Sequence, residues 1–106
     1  MSAAQVRVPA SAKKGEVIEI KTRVNHDMET GLRKDDKGKT IPRLMLKSFV
    51  CKYNGTPVFE ADFDTAVSAN PTLYFYTVAT ESGKLEFIWT DDNGATIKEE
   101  ASITVS

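Results

Sequence analysis

Residues 16–25 read EVIEIKTRVN and alternate almost without a slip: Ile18, Ile20, Thr22 and Val24 fall on one face, Glu19, Lys21 and Arg23 on the other. A period of two is the pleat of a β-strand, whose successive side chains point to opposite faces, one dry and one wet. Working outward, the same period returns in residues 84–91, KLEFIWTD, where Leu85, Phe87 and Trp89 share a face. Residues 72–78, TLYFYTV, carry aromatics on both faces, which predicts a strand covered on both sides. Residues 96–105 place Ile97, Ala101, Ile103 and Val105 together, with Glu99 as a candidate break in the middle. Helical periodicity is nearly absent.

Turn chemistry supports these strands. Asn54-Gly55 joins a strand at about 44–53 to one at about 56–63, and Asn93-Gly94 joins 84–91 to 96–105. Both dipeptides tolerate positive φ, so both are read as type I′ hairpin turns. Pro57 has no amide to give a ladder, which predicts that its strand lies at a sheet edge. With a short opening strand at 5–9 the count is about seven. Seven short strands in 106 residues predict an all-β fold, an immunoglobulin-like antiparallel β-sandwich in a single domain spanning 1–106. The lone cysteine, Cys51, means a sandwich with no internal disulfide. Residues 65–71, TAVSANP, resist the strand reading and suit a helical turn or a crossover.

Composition narrows the function classes. A chain this long buries ~60–70% of its unfolded surface, enough for a core without metals or disulfides. Fourteen basic and fifteen acidic residues give a net charge of −1, so no electrostatic footprint marks a nucleic-acid or anionic-membrane partner. Partners must be recognised by shape and local chemistry. The opening residues MSAAQVRVPASAKKGE do not read as a signal peptide, and no apolar run approaches a membrane span. Taken alone, that predicts a cytoplasmic protein.

Residues 26–42, HDMETGLRKDDKGKTIP, form seventeen residues without sustained alternation. Loops this long in compact domains are usually functional or disordered. Met28, Leu32, Ile41 and Pro42 are apolar anchors that a solvated linker would not need, and the charges balance: Asp27, Glu29, Asp35 and Asp36 against Arg33, Lys34, Lys37 and Lys39. That mix predicts local pairing, or a β-ribbon turning at 35–38.

The same stretch resembles the signature of the SoxZ family. The residues carrying the resemblance are His26, Met28-Glu29-Thr30-Gly31, Arg33-Lys34-Asp35, Gly38-Lys39 and Ile41-Pro42. Ser68-Ala69-Asn70-Pro71 is similar to a turn the family places before an aromatic strand, and Trp89-Thr90-Asp91 with Asn93-Gly94 is similar to its penultimate hairpin. The resemblance implies an immunoglobulin-like subunit, heterodimeric with a SoxY-like chain, in the sulfur-oxidation carrier of thiosulfate-oxidising bacteria. It implies that the sulfur rides on a cysteine in a glycine-flanked C-terminal arm of SoxY, and that other Sox enzymes dock transiently to process it. SoxZ itself would be no enzyme and would hold no cofactor. It would stabilise SoxY and supply part of the docking surface. A periplasmic location, reached by co-export with a partner that carries the signal, is also implied, against the local reading of the N-terminus.

Individual side chains fit a binding role. Cys51 alternates with Met45, Phe49 and Tyr53, a hydrophobic set that predicts packing over reactivity. His26 is the only histidine, and neither a metal site nor a nucleophile–base pair is readily built on it with neighbours such as Asp27. Asn54-Gly55-Thr56 matches a glycosylation acceptor but reads as turn chemistry, and Trp89 reads as core. The partner-binding candidates are Met28, Glu29, Arg33, Lys34, Asp35, Ile41 and Pro42. Arginine offers bidentate contacts to carboxylates and methionine adapts to a partner surface, although Arg33 and Asp35 would equally serve to hold the loop together. The competing reading is a stand-alone immunoglobulin-like binding or adhesion module.

Overall fold

A computed structural model describes residues 4–25, 28, 32, 34–40, 45–63 and 70–106 of the chain. Its strands are β1 (Ala4–Arg7), β2 (Ser11–Ala12), β3 (Val17–Val24), β4 (Leu46–Tyr53), β5 (Thr56–Asp62), β6 (Thr72–Val78), β7 (Gly83–Asp91) and β8 (Thr96–Val105). All seven expected strands are present, and the eighth, β2, is a two-residue piece running parallel to β8. A three-stranded sheet ordered β1-β3-β6 faces a five-stranded sheet ordered β2-β8-β7-β4-β5. This is an immunoglobulin-like sandwich, and Cys51 is a free thiol.

The first stretch of sequence behaves as its pattern dictates. Along β3 burial alternates at every residue, with Ile18, Ile20, Thr22 and Val24 inside. The opening strand leaves β3 after Arg7 and crosses to the other sheet, where Ala10 O accepts Thr104 N–H at 3.0 Å and Ala12 O accepts Ser106 N–H at 3.1 Å. Pro9 sits at this crossing and has no N–H with which to continue a ladder. Pro57 lies on β5, which among the described residues pairs only with β4 and is an edge there, with a bulge where the register slips between Cys51 and Lys52.

The core is aromatic and spans both sheets. Trp89 and Phe87 are fully buried, and the Phe49 ring lies 5.0 Å from Trp89 and 6.0 Å from Phe75. Phe59 and Phe75 stack at 4.2 Å with planes only 6° apart, tying β5 of one sheet to β6 of the other. A bulge between Leu46 and Ser48 shifts the parity of β4, so that both Met45 and Leu46 are buried while Lys47 is exposed.

Three expectations are corrected. Asn54-Gly55 is a two-residue turn with both φ angles positive (50° and 85°), as its chemistry predicts. At Asn93-Gly94, however, only Gly94 has positive φ; Asp91 N–H donates to Ala95 O and Gly94 N–H to Asp91 O, giving a three-residue loop in place of a type I′ turn. Glu99 does not break β8, because it pairs with Phe87 inside an unbroken ladder. Finally, β6 is covered on one face only: Phe75 is buried, yet Tyr74 and Tyr76 are 67% and 63% exposed. Residues 64–69, most of the segment expected as a turn or crossover, lie outside the described residues.

Candidate partner-binding surface

Two surfaces on this frame could engage another molecule. The first is the 26–42 region. Of the seven candidate residues, Glu29, Arg33, Ile41 and Pro42 lie outside the described residues, as does His26. Met28 takes φ 53° and turns its side chain into the core, 5% exposed, where its sulfur accepts Leu46 N–H at 3.4 Å. It anchors the region as expected of an apolar residue there. Leu32, expected as a second anchor, is instead 86% exposed. Lys34 and Thr40 form an antiparallel bridge, so the expected ribbon exists, and it turns over residues 35–38.

Asp35 organises that turn. Its Oδ1 accepts the N–H of Lys37 at 2.9 Å and of Lys39 at 3.0 Å, its N–H donates to Lys39 O, and its carbonyl accepts Gly38 N–H. The arrangement recurs at 91–95: Asp91 Oδ1 accepts Asn93 and Ala95 N–H, both at 2.9 Å, Asp91 N–H donates to Ala95 O, and Gly94 N–H donates to Asp91 O. Both turns are written Asp-Asp-x-Gly-x, with the aspartate side chain closing an Asx turn over the loop. Asp35 therefore shapes the tip, and Lys34 stands beside it, exposed. The second turn is also docked: Asp92 N–H donates to Met45 O at 2.8 Å and its carboxylate accepts Met45 N–H at 3.0 Å.

The second surface, which the sequence reading missed, is the outer face of the β1-β3-β6 sheet. Register sets Arg7 beside Lys21 beside Tyr74, Glu19 beside Tyr76, and Val17 beside Val78. Val17 and Val78 are 62% and 45% exposed. Tyr76 hydroxyl donates to Glu19 at 3.0 Å, and Lys21 Nζ lies 3.2 Å from the other Glu19 oxygen and 5.7 Å from the centre of the Tyr74 ring. The Tyr76 hydrogen bond, followed by Lys21, holds the Glu19 carboxyl below its ordinary value, and the same bond raises the Tyr76 phenol. The sequence does carry a signal for this surface: a strand apolar on both faces needs two covers, and the fold supplies one.

Cys51 lies at the opposite extreme. It is fully buried between Phe59 and Phe87 on the flanking strands, and burial pushes its thiol up to about 12. Burial and a raised thiol both work against thiolate chemistry at this position. Asn54, in the glycosylation-like tripeptide, is committed to its turn: its backbone N–H donates to Lys84 O at 2.9 Å and its Oδ1 accepts Lys84 N–H at 3.0 Å. Among the described residues no group of three or more His, Cys, Asp or Glu is placed to hold a metal ion.

Comparison with known families gives a match to the model described as sulphur oxidation protein SoxZ, over residues 6–102. The chain belongs to the SoxZ family. Its role therefore lies in sulfur oxidation. No curated protein sequence matches it. Among solved structures, the SoxZ-family chain is similar to superoxide reductase (neelaredoxin) from Ignicoccus hospitalis at TM-score 0.75 and 14% identity, covering 98% of this chain and 80% of that one. A putative superoxide reductase from Thermotoga maritima matches at TM-score 0.74 and 16% identity, covering 99% and 86%. The sulfur carrier protein SoxY from Chlorobium limicola f. thiosulfatophilum matches at TM-score 0.67 and 10% identity, covering 100% and 81%. At such identities these likenesses are of fold.

Proposed function

We propose that this SoxZ-family chain is the non-catalytic subunit of a two-chain sulfur carrier. It pairs with a SoxY-like chain, stabilises it, and helps present sulfur intermediates held on that partner's cysteine to the enzymes of thiosulfate oxidation. The observation that carries this reading is the family match over residues 6–102, joined to a single cysteine sealed in the core. If sulfur travels covalently through such a complex, a thiol pushed up to about 12 and out of solvent is a poor place for it, which supports a cargo held on the other chain. A SoxY-like fold similar to this one supports a pair built from two related sandwiches.

The reading extends to location: the complex works in the periplasm, and this chain reaches it bound to its exported partner. Co-expression with the SoxY-like chain tests both points. A stoichiometric complex on size-exclusion chromatography is expected, with this chain in the periplasmic fraction only when the partner keeps its export signal. Elution as two separate species would defeat the proposed pairing. Periplasmic recovery without the partner would defeat the proposed route.

A further inference from the structure

We infer that the open edge of β6, with the outer face beside it, is where an extended strand of the partner subunit adds to the β1-β3-β6 sheet; this rests on the two-chain reading above. Three observations converge on it. The first is the direction of the backbone groups. Ala79 N–H donates to Glu16 O at 2.8 Å, Gly15 N–H to Ala79 O at 2.7 Å, and Val24 N–H to Pro71 O at 3.2 Å. Residues 71 and 79 thus turn their polar groups toward β3, and by strand parity so do 73, 75 and 77. Thr72, Tyr74, Tyr76 and Val78 point theirs the other way, where no strand pairs with β6 among the described residues.

The second observation is that the residues of β6 itself carry no charge, proline or bulge of the kind that keeps edges from pairing. Seven residues, TLYFYTV, contain no charge and no proline, and their register with β3 runs without a bulge. The edge of the facing sheet is defended: β5 has Pro57, a bulge, and the charged residues Glu60 and Asp62. The third observation is the surface beside the edge. Four of the exposed large hydrophobic residues, Val17, Tyr74, Tyr76 and Val78, gather on this one face. An added strand would also send alternate side chains toward the opening between β6 and β5, a groove of 520 Å³ lined by Tyr53, Val58, Thr77 and Val78 among others.

Charge selects the occupant. The outward positions of β1, β3 and β6 hold the cations Arg7, Lys21 and Arg23 against one carboxylate, Glu19, which already serves Lys21 and Tyr76. Arg7, Lys21 and Arg23 line one groove of 500 Å³ with Thr72 and Tyr74. A second copy of this chain would bring the same excess of cations. A partner strand with carboxylates beside Thr72 and Tyr74, and apolar side chains beside Tyr76 and Val78, complements both ends.

Residue-resolved amide exchange on the free chain and on its complex with the SoxY-like subunit tests the inference. In the free chain the amides of residues 73, 75, 77 and 79 exchange slowly and those of 72, 74, 76 and 78 quickly. In the complex the second set slows by at least about tenfold. The double variant Tyr74→Lys/Tyr76→Lys weakens the complex by at least about tenfold, whereas Glu60→Lys, on the β5 edge and outside that groove, leaves it intact. A complex that forms without slowing those four amides overturns the edge assignment while leaving the pairing standing. Concentration-dependent protection in the free chain alone assigns the edge to a second copy and overturns the choice of partner. Absence of any complex refutes the pairing, and the inference with it.

Discussion

The burial of Cys51 makes a quantitative prediction about sulfur chemistry. With an ordinary value of 9.0, about a tenth of a thiol is ionised at pH 8; pushed up to about 12, the fraction falls to about one in ten thousand. Ionisation alone therefore slows a thiolate-dependent reaction by about 1,000-fold. Access slows it further, because Cys51 lies on β4 with β5 on one side and β7 on the other, and β4 must part from a neighbour to admit a reagent. Disulfide-exchange labelling at pH 8 should be slower in the folded chain than in guanidinium by at least about 1,000-fold. The same shift carries a pH signature. The folded state keeps the thiol proton up to about 12 while the unfolded chain loses it near 9.0, so stability is full below 9 and falls as pH rises, by about 1.4 kcal/mol per unit. The stability gap between the native chain and Cys51→Ala should accordingly narrow between pH 9 and 11. Labelling within tenfold of the denatured rate, or parallel pH profiles for the two proteins, would refute the reasoning.

Other consequences follow from single contacts. The paired turns form a matched experiment: Asp91→Ala removes two charge-assisted bonds in a turn docked on Met45 and should cost about 1–3 kcal/mol in urea unfolding, whereas Asp35→Ala, with equivalent bonds on an exposed tip, should cost under about 0.5 kcal/mol. Equal losses would show that the tip contributes as much to global stability as the docked turn. Phe75→Ala breaks the stack that joins the two sheets and should cost about 3–5 kcal/mol, while Tyr74→Ala on the same strand should stay within about 0.5 kcal/mol of native. In Tyr76→Phe the Glu19 carboxyl should titrate at higher pH than in the native chain, followed by NMR, and an unmoved titration would exclude the hydroxyl as its main cause.

Most of the fold is legible because one face of each strand is dry. In β3 each of the eight residues lies on the side that its alternation assigns, and Asn54-Gly55 adopts the turn that its tolerance of positive φ allows. Asn93-Gly94 misleads because the dipeptide is shared by two loop types. The distinguishing residue is Asp91, whose side chain favours a longer loop closed by an Asx turn, and the same Asp-Asp-x-Gly-x string at residue 35 discloses it once the two are set side by side. The bulge in β4 is not legible, since one extra residue leaves no mark in composition.

The surface is harder to read than the core. Tyr74 and Tyr76 suggest cover on both faces of β6, yet both side chains are exposed, because the sandwich buries only the face that carries Phe75. Met28 and Leu32 look alike as anchors, yet one is buried with its sulfur against Leu46 N–H and the other faces solvent, a difference that hydrophobicity alone does not encode.

Native mass spectrometry of the complex with the SoxY-like chain, after incubation with thiosulfate and the proteins that load it, tests the central claim most directly. The expected result is a one-to-one complex in which, once the subunits are separated, all added sulfur mass lies on the partner and this chain keeps its unmodified mass. Added mass on this chain at Cys51, or full loading of the partner in its absence with no change in stability, would contradict it.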